Sequence, residues 1–211
     1  SLNEALALFH ECMQSLERMV GRDHPSLGAH FLGYGQSLGE RDRAVEAVPL
    51  LVEGLRIYRT SKGDDWNPAP VVEMLDRYVR RIVARGDGKP ADYTTALAGV
   101  ESLSGDKPAT SAVRHLHGMV LYRLGRIDEA LAELNAPSEG GEPKRDSVLQ
   151  RLAFAALAQQ KLGNADAARQ SLSQLREQLA GNDEKPGKDA AALISEAEAA
   201  VAGAQEEAGM P

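Results

Sequence analysis

The chain has 211 residues, a net charge of −7, 43% hydrophobic residues and 26% charged ones, the balance of an ordinary folded soluble chain. An acidic balance with no basic stripe excludes nucleic acid as a partner, and no apolar run approaches the ~18 residues of a membrane span. Aromatics are only 4% while alanine and leucine abound, which favours packed helices over sheets. There is no signal-peptide pattern, so a cytoplasmic place is expected ahead of secretion. The single cysteine, Cys12, cannot make an intramolecular disulfide, and its apolar helical setting predicts a buried structural thiol. The chain opens inside a helical pattern without an initiator Met and reads as a fragment of something longer.

In chain order, the pattern predicts helices over 2–20, 25–39, 43–61, 68–85, 91–103, 109–124, 127–135, 146–162, 165–180 and 187–204, with no alternating run that would make a strand. Two links resemble each other: "GRDHP" at 21–25 and "GDDWNP" at 63–68, each with a proline suited to a helix's first turn. His24, in the first of these links, is expected to cap or pack. The pattern "EALALF" at 4–9 recurs as "EAVPLL" at 46–51. Pro49 lies early in its helix, where it costs little. In the second half a 38-residue offset lays Leu124 on Leu162, Gly125 on Gly163, Asp128 on Asp166, Ala130 on Ala168 and Leu134 on Leu172. Each such unit reads as helix, tight turn, helix. The glycine takes the left-handed turn, and the aspartate suits a helix N-terminus. Small residues at 118 or 156 and at 130 or 168 let the two backbones approach. "NAPSEGGEPKR" at 135–145 is a loop. Ala191, Leu193, Ile194, Ala197 and Val201 make one apolar stripe on the last helix, which caps the hairpin before it, and the tail "QEEAGMP" frays.

On these residues the sequence resembles the tetratricopeptide repeat family, in which a small residue, a glycine and an alanine recur at the eighth, fifteenth and twentieth positions. Gly118, Gly125 and Ala130 match, as do Ala156, Gly163 and Ala168. The first half is similar to the 42-residue variety seen in kinesin light chains, and "LLVEGLRIYRTSKGDDWNP" resembles repeat regions attached to planctomycete-type bacterial serine/threonine kinases. The resemblance implies an all-α, right-handed helical-hairpin solenoid. About four repeats and a partial N-terminal one would fill 1–186, with a capping helix and tail over 187–211. In the unit beginning near 26, whose groove positions are counted from Gly33, "LGERDRAVEAVPLL" carries about three extra residues between Gly39 and Ala47 compared with the usual turn, and the unit at 68–103 keeps Gly86 at its turn but has a second helix that is degenerate in this pattern.

In that family the first helix of each repeat lines a concave groove. Carried over position by position, this implies a partner-binding face of His30, Tyr34, Arg80, His115, Met119, Tyr122, Arg123, Leu157 and Lys161, with Gln150 and Gln160 beside them. The lysine and asparagine of the chaperone-tail clamp are absent from the matching positions.

Little else carries chemistry. "HLH" at 115–117 cannot make a metal pair, because residues two apart on a helix point about 200° apart. There is no nucleophile elbow, nucleotide fingerprint or Cys/His pair, so neither an enzyme nor a cofactor is expected. The leading expectation is a non-catalytic module binding a protein or peptide, within a larger bacterial signalling protein. The alternative is a structural or self-association element.

Overall fold

A computed structural model describes residues 2–62, 66–104, 109–137, 144–181 and 184–208. The "GDD" part of the second link, most of the loop at 135–145 and the last three residues of the tail lie outside the described residues. Among the described residues there are ten helices and no strand. They are α1 (Leu2–Val20), α2 (Pro25–Glu40), α3 (Ala44–Lys62), α4 (Ala69–Ala84), α5 (Pro90–Ser104), α6 (Ser111–Arg123), α7 (Ile127–Leu134), α8 (Arg145–Lys161), α9 (Ala165–Ala180) and α10 (Lys188–Ala208). The fold is all-α, and its unit is the helical hairpin. The chain divides into two compact units, Ser1–Tyr78 and Val79–Pro211, and the division falls within α4.

Three hairpins close by one and the same turn. In the first unit, between α2 and α3, Asp42 has φ +62°; its N–H donates to Gly39 O, and the N–H of Arg43 donates to Leu38 O. In the second unit Gly125 (φ +79°) and Gly163 (φ +77°) hold the left-handed place. There Arg126 donates to Leu121 O and Asn164 to Gln159 O, both five residues back. This pairing of a five-back and a three-back bond satisfies the last carbonyls of the first helix.

The turn sets the register, and it corrects the expectation for α2. Seven residues before the left-handed residue stand Gly35, Gly118 and Ala156; five after it stand Ala47, Ala130 and Ala168, all three without exposed surface. A Cβ on Gly118 would sit 2.8 Å from the carbonyl oxygen of Ala130, and one on Gly35 would sit 3.2 Å from that of Ala47. These are the same helix crossing. Gly33, taken above as the reference glycine, faces open space, and no residues are inserted before Ala47. Aspartate is one of the few residues with a side chain that tolerate the left-handed conformation, so the turn carries no glycine to mark it.

The two similar links do the same work. The imidazole Nδ1 of His24 accepts from the N–H of Ser26 at 3.2 Å, and the Asn67 side chain accepts from the N–H of Ala69 at 3.0 Å. Each caps a helix two residues on, beside the proline that opens it. Asp23 of the first link is also paired with Arg56 at 2.7 Å, tying the α1–α2 link to α3. Pro49 lies in the second turn of α3 and is exposed. The turn between α4 and α5 has no left-handed residue. Instead the hydroxyl of Tyr93 donates to Arg85 O at 2.6 Å and accepts from the N–H of Gly88 at 3.0 Å, and α5 is a full helix, as its pattern predicts, though it departs from the repeat's residue pattern.

Within the second unit α6 pairs with α7, α8 with α9, and α10 packs on α8 and α9. Ala190, Leu193, Ile194, Ala197 and Val201 form its buried stripe. Because α8 is covered by α6, α7, α9 and α10, every residue from Leu152 to Ala158 is buried. A helix apolar all round is what such a central place requires.

Cys12 is exposed, contrary to expectation. The face of α1 that packs inward carries Phe9, Met13 and Leu16 against Leu27, Phe31 and Ile57, and Cys12 lies on another face.

Overpacking the crossings tests the register. Gly118→Ala, Ala130→Leu and Ala168→Leu should each destabilise the chain by about 1–3 kcal/mol in urea denaturation, since backbone stands where a Gly118 Cβ would go and Ala130 and Ala168 have no exposed surface. Gly33→Ala, with open space around it in a helix, should leave stability unchanged or raise it by up to about 1 kcal/mol.

Candidate functional site

The expected partner-binding residues fall in both units, and the corrected register separates them. His30 and Tyr34, in the first unit, stand two places off the positions assigned to them. His30 is exposed, while Tyr34 stacks on Phe9 of α1 with ring centroids 4.1 Å apart. Tyr34 therefore packs toward the preceding helix. Its hydroxyl is buried with no hydrogen-bond partner among the described residues.

The other seven lie in the second unit, on or beside the first helices α6 and α8. Met119 has no exposed surface, Leu157 has 3% and Tyr122 5%. These three are core side chains, which corrects the expectation that they stand open. The cause is the close cover of α8, which α10 completes.

At one end of this face stands Arg123, near the end of α6. Its Nε donates to Val83 O at 2.8 Å, and its two terminal nitrogens donate to the two carboxylate oxygens of Glu196 on α10 at 2.6 and 2.7 Å. The side chain keeps only 6% of its exposure. Its guanidinium carbon lies 5.0 Å from the ring centroid of Phe154, and Tyr122 meets that ring edge-on at 5.4 Å. The Lys161 ammonium lies 4.8 Å over the Tyr122 ring. Burial first, and the Glu196 charge second, push the Tyr122 phenol up to about 12, so it stays a neutral hydroxyl. This end is satisfied within the chain: a forked guanidinium bound by a forked carboxylate.

The other end is cationic. Arg80 of α4 donates to Gln150 Oε1 at 3.1 Å, with Met119 Sδ 3.9 Å away. Arg114 of α6 pairs with Glu133 of α7 at 2.9 Å. Arg151 of α8 is half-buried, and one of its nitrogens lies 3.5 Å from Leu134 O. Burial lowers its basicity from the usual arginine range. His115 stands among these three arginines, its Nε2 2.8 Å from Ala136 O. Burial, and after it the charges of Arg151, Arg80 and Arg114, push His115 below the ordinary imidazole range, against the hydrogen bond to Ala136. No group of three metal-ligating side chains occurs among the described residues.

Sequence reading missed Glu196, Arg114 and Arg151. Glu196 is 73 residues from Arg123, and only the fold of α10 onto α8 joins them.

Two family models match the chain. That of the T7SS, ESX-1 secretion system protein EccA1, N-terminal domain, matches residues 59–198, more than half of the chain. The chain belongs to that family. A tetratricopeptide repeat model matches residues 1–26, and the hairpins are of that type. Neither match supports the likeness to repeats attached to kinases. No curated protein matches the chain.

Two outcomes follow for this face. Glu196→Ala strands a buried guanidinium and should cost about 2–4 kcal/mol in urea denaturation. Arg123→Met in that background should recover much of the loss. His115 is held neutral in the fold, so the unfolded chain binds its proton more readily. Stability should therefore fall as pH drops below the unfolded imidazole's pKa of about 6.5. A His115→Gln chain should show a shallower loss between about pH 7 and 5 when both are melted in parallel.

Proposed function

We propose that this chain is a non-catalytic protein-interaction domain of a larger bacterial protein that serves secretion, holding a protein or peptide partner on the first helices of its second unit. Domains of this repeat type generally mediate protein–protein interaction, and the family it belongs to is described by an ESX-1 secretion system protein. The observation that carries the reading is the cationic end of the face: Arg80, Arg114 and Arg151 around a neutral His115, in a chain whose net charge is −7. Three guanidinium groups favour a partner segment bearing carboxylates, since forked donors match carboxylate oxygens two by two. Arg80 and Lys161 keep their place in the proposed face. Arg123 acts through Glu196, which it holds in position, and Met119, Tyr122 and Leu157 support the surface from below.

Capture from a source lysate tests the first reading. The immobilised chain should retain a partner that elutes with salt. A variant carrying Arg80→Gln and Arg151→Gln, with an unchanged circular dichroism spectrum, should retain at least about tenfold less of it, a loss of 1.4 kcal/mol or more. Equal capture by both chains would overturn the assignment of the cationic end.

A further inference from the structure

His115 on α6 and Gln150 on α8 are polar residues buried in the second unit, and each leaves one nitrogen over. His115 Nε2 lies 2.8 Å from Ala136 O. A carbonyl oxygen only accepts, so the imidazole proton sits on Nε2 and Nδ1 is a bare lone pair. Gln150 Oε1 accepts from Arg80 at 3.1 Å, which leaves the amide nitrogen with two hydrogens to give. Neither His115 Nδ1 nor Gln150 Nε2 has a hydrogen-bond partner among the described residues. The two residues stand on helices that pack together. The Arg80 nitrogen that meets Gln150 lies 3.9 Å from the sulfur of Met119, one turn along α6 from His115. Buried polar groups are ordinarily satisfied, so two such nitrogens together point to a ligand.

The charge that would hold the ligand is Arg151. It is half-buried, with one nitrogen 3.5 Å from Leu134 O and no carboxylate on it among the described residues. A guanidinium held partly out of water costs stability until an anion joins it. The carboxylates of the neighbouring helices are engaged elsewhere. On α7, Glu133 pairs with Arg114 at 2.9 Å and Glu129 with Arg126 at 2.6 Å, while Asp128 stands in the first turn, away from Ala136. On α5, Asp92 accepts from the N–H of Lys89 at 3.0 Å, and Glu101 acts on Arg126. On α8, Asp146 accepts from the N–H of Gly187 at 3.2 Å. On α4, Asp76 has a partner and stands one turn before Arg80. His117, two places along α6, acts on Glu129.

A carboxylate entering here meets the Gln150 amide and the Arg151 guanidinium as donors, while the lone pair on His115 Nδ1 repels it. The repulsion ends when Nδ1 takes a proton from solvent. The incoming negative charge favours that step, since it offsets the arginine charges that oppose it. The imidazolium then donates from both nitrogens, to Ala136 O and to the carboxylate. We propose that His115, Gln150 and Arg151 form a carboxylate subsite that fills with uptake of one proton on His115 Nδ1, so that the chain holds an acidic segment more tightly as pH falls. This rests on the reading that the partner bears carboxylates. The imidazole's pKa is higher in the bound state than in the free one. The added affinity is therefore complete below the free-state value and is lost as pH rises through the bound-state value.

Titration calorimetry of the whole chain with an acetylated hexa-aspartate peptide, at about pH 7.5 and about pH 5.5, tests it. Binding should be at least about threefold tighter at the lower pH. The NMR titration of the His115 ring, identified by its loss in His115→Gln, should move to higher pH when peptide is bound. His115→Gln keeps a donor for Ala136 O and should lose the gain at low pH. Arg151→Gln should bind at least about tenfold more weakly at both pH values. Both variants should keep the parent's circular dichroism spectrum. Equal affinity at the two pH values, or a gain that His115→Gln retains, overturns the proton uptake and leaves the acidic-partner reading standing. No binding at either pH overturns the subsite itself, and capture of the lysate partner then decides the acidic-partner reading separately.

Discussion

Two helices can bring their backbones close only where both carry small residues, glycine or alanine, at the crossing. The hairpins α2–α3, α6–α7 and α8–α9 meet this condition at the same two places: Gly35 with Ala47, Gly118 with Ala130, Ala156 with Ala168. The turn that joins the helices obeys a second steric rule. One residue must take a positive φ, and Asp42, Gly125 and Gly163 take it. With the turn and the crossing both set, the remaining faces of each hairpin are decided. The apolar positions that follow, such as Leu51 and Leu134, bury themselves against the small ones.

Repetition then makes the inner helices unlike the outer ones. A hairpin with neighbours on both sides has a first helix that meets other helices around its whole circumference. In the second unit α8 occupies that place, and its continuous run of leucine, alanine and phenylalanine follows from it. The same crowding accounts for Arg123. A guanidinium brought so far out of water must have its donors met, and the Val83 carbonyl and the Glu196 carboxylate meet them from two different helices. One long side chain thus joins α4, α6 and α10 while lying against the ring of Phe154.

The contrast between the two ends of this face is electrostatic. Where α10 supplies a carboxylate, the charge of Arg123 is answered inside the chain. Around His115 stand Arg80, Arg114 and Arg151, and burial first, with their charges after it, holds the imidazole below its ordinary range. A basic area on an acidic chain gives a directional field, and such fields raise the rate of encounter with a partner of opposite charge.

Much of this was legible in the sequence. Helix periodicity, the proline-led links and the 38-residue offset determined the helices almost to the residue, because those signals are local: a cap, a turn, an apolar stripe. The repeat type was legible where the turn residue was glycine, at 125 and 163. It was misread at 42, where an aspartate takes the same conformation and Gly33, a glycine with nothing near it, stood two places off the true register. That error placed His30 and Tyr34 on the wrong face of α2. Exposure was beyond sequence reach for a different reason. Whether Met119, Leu157 or Cys12 faces water depends on which other helix lies over it, and those helices are tens of residues away along the chain. Local pattern can say that a residue is apolar and on which stripe it falls. Only the packing of α10 over α8, and of α1 by one face alone on the hairpin beyond it, decided which stripes are covered and which remain open.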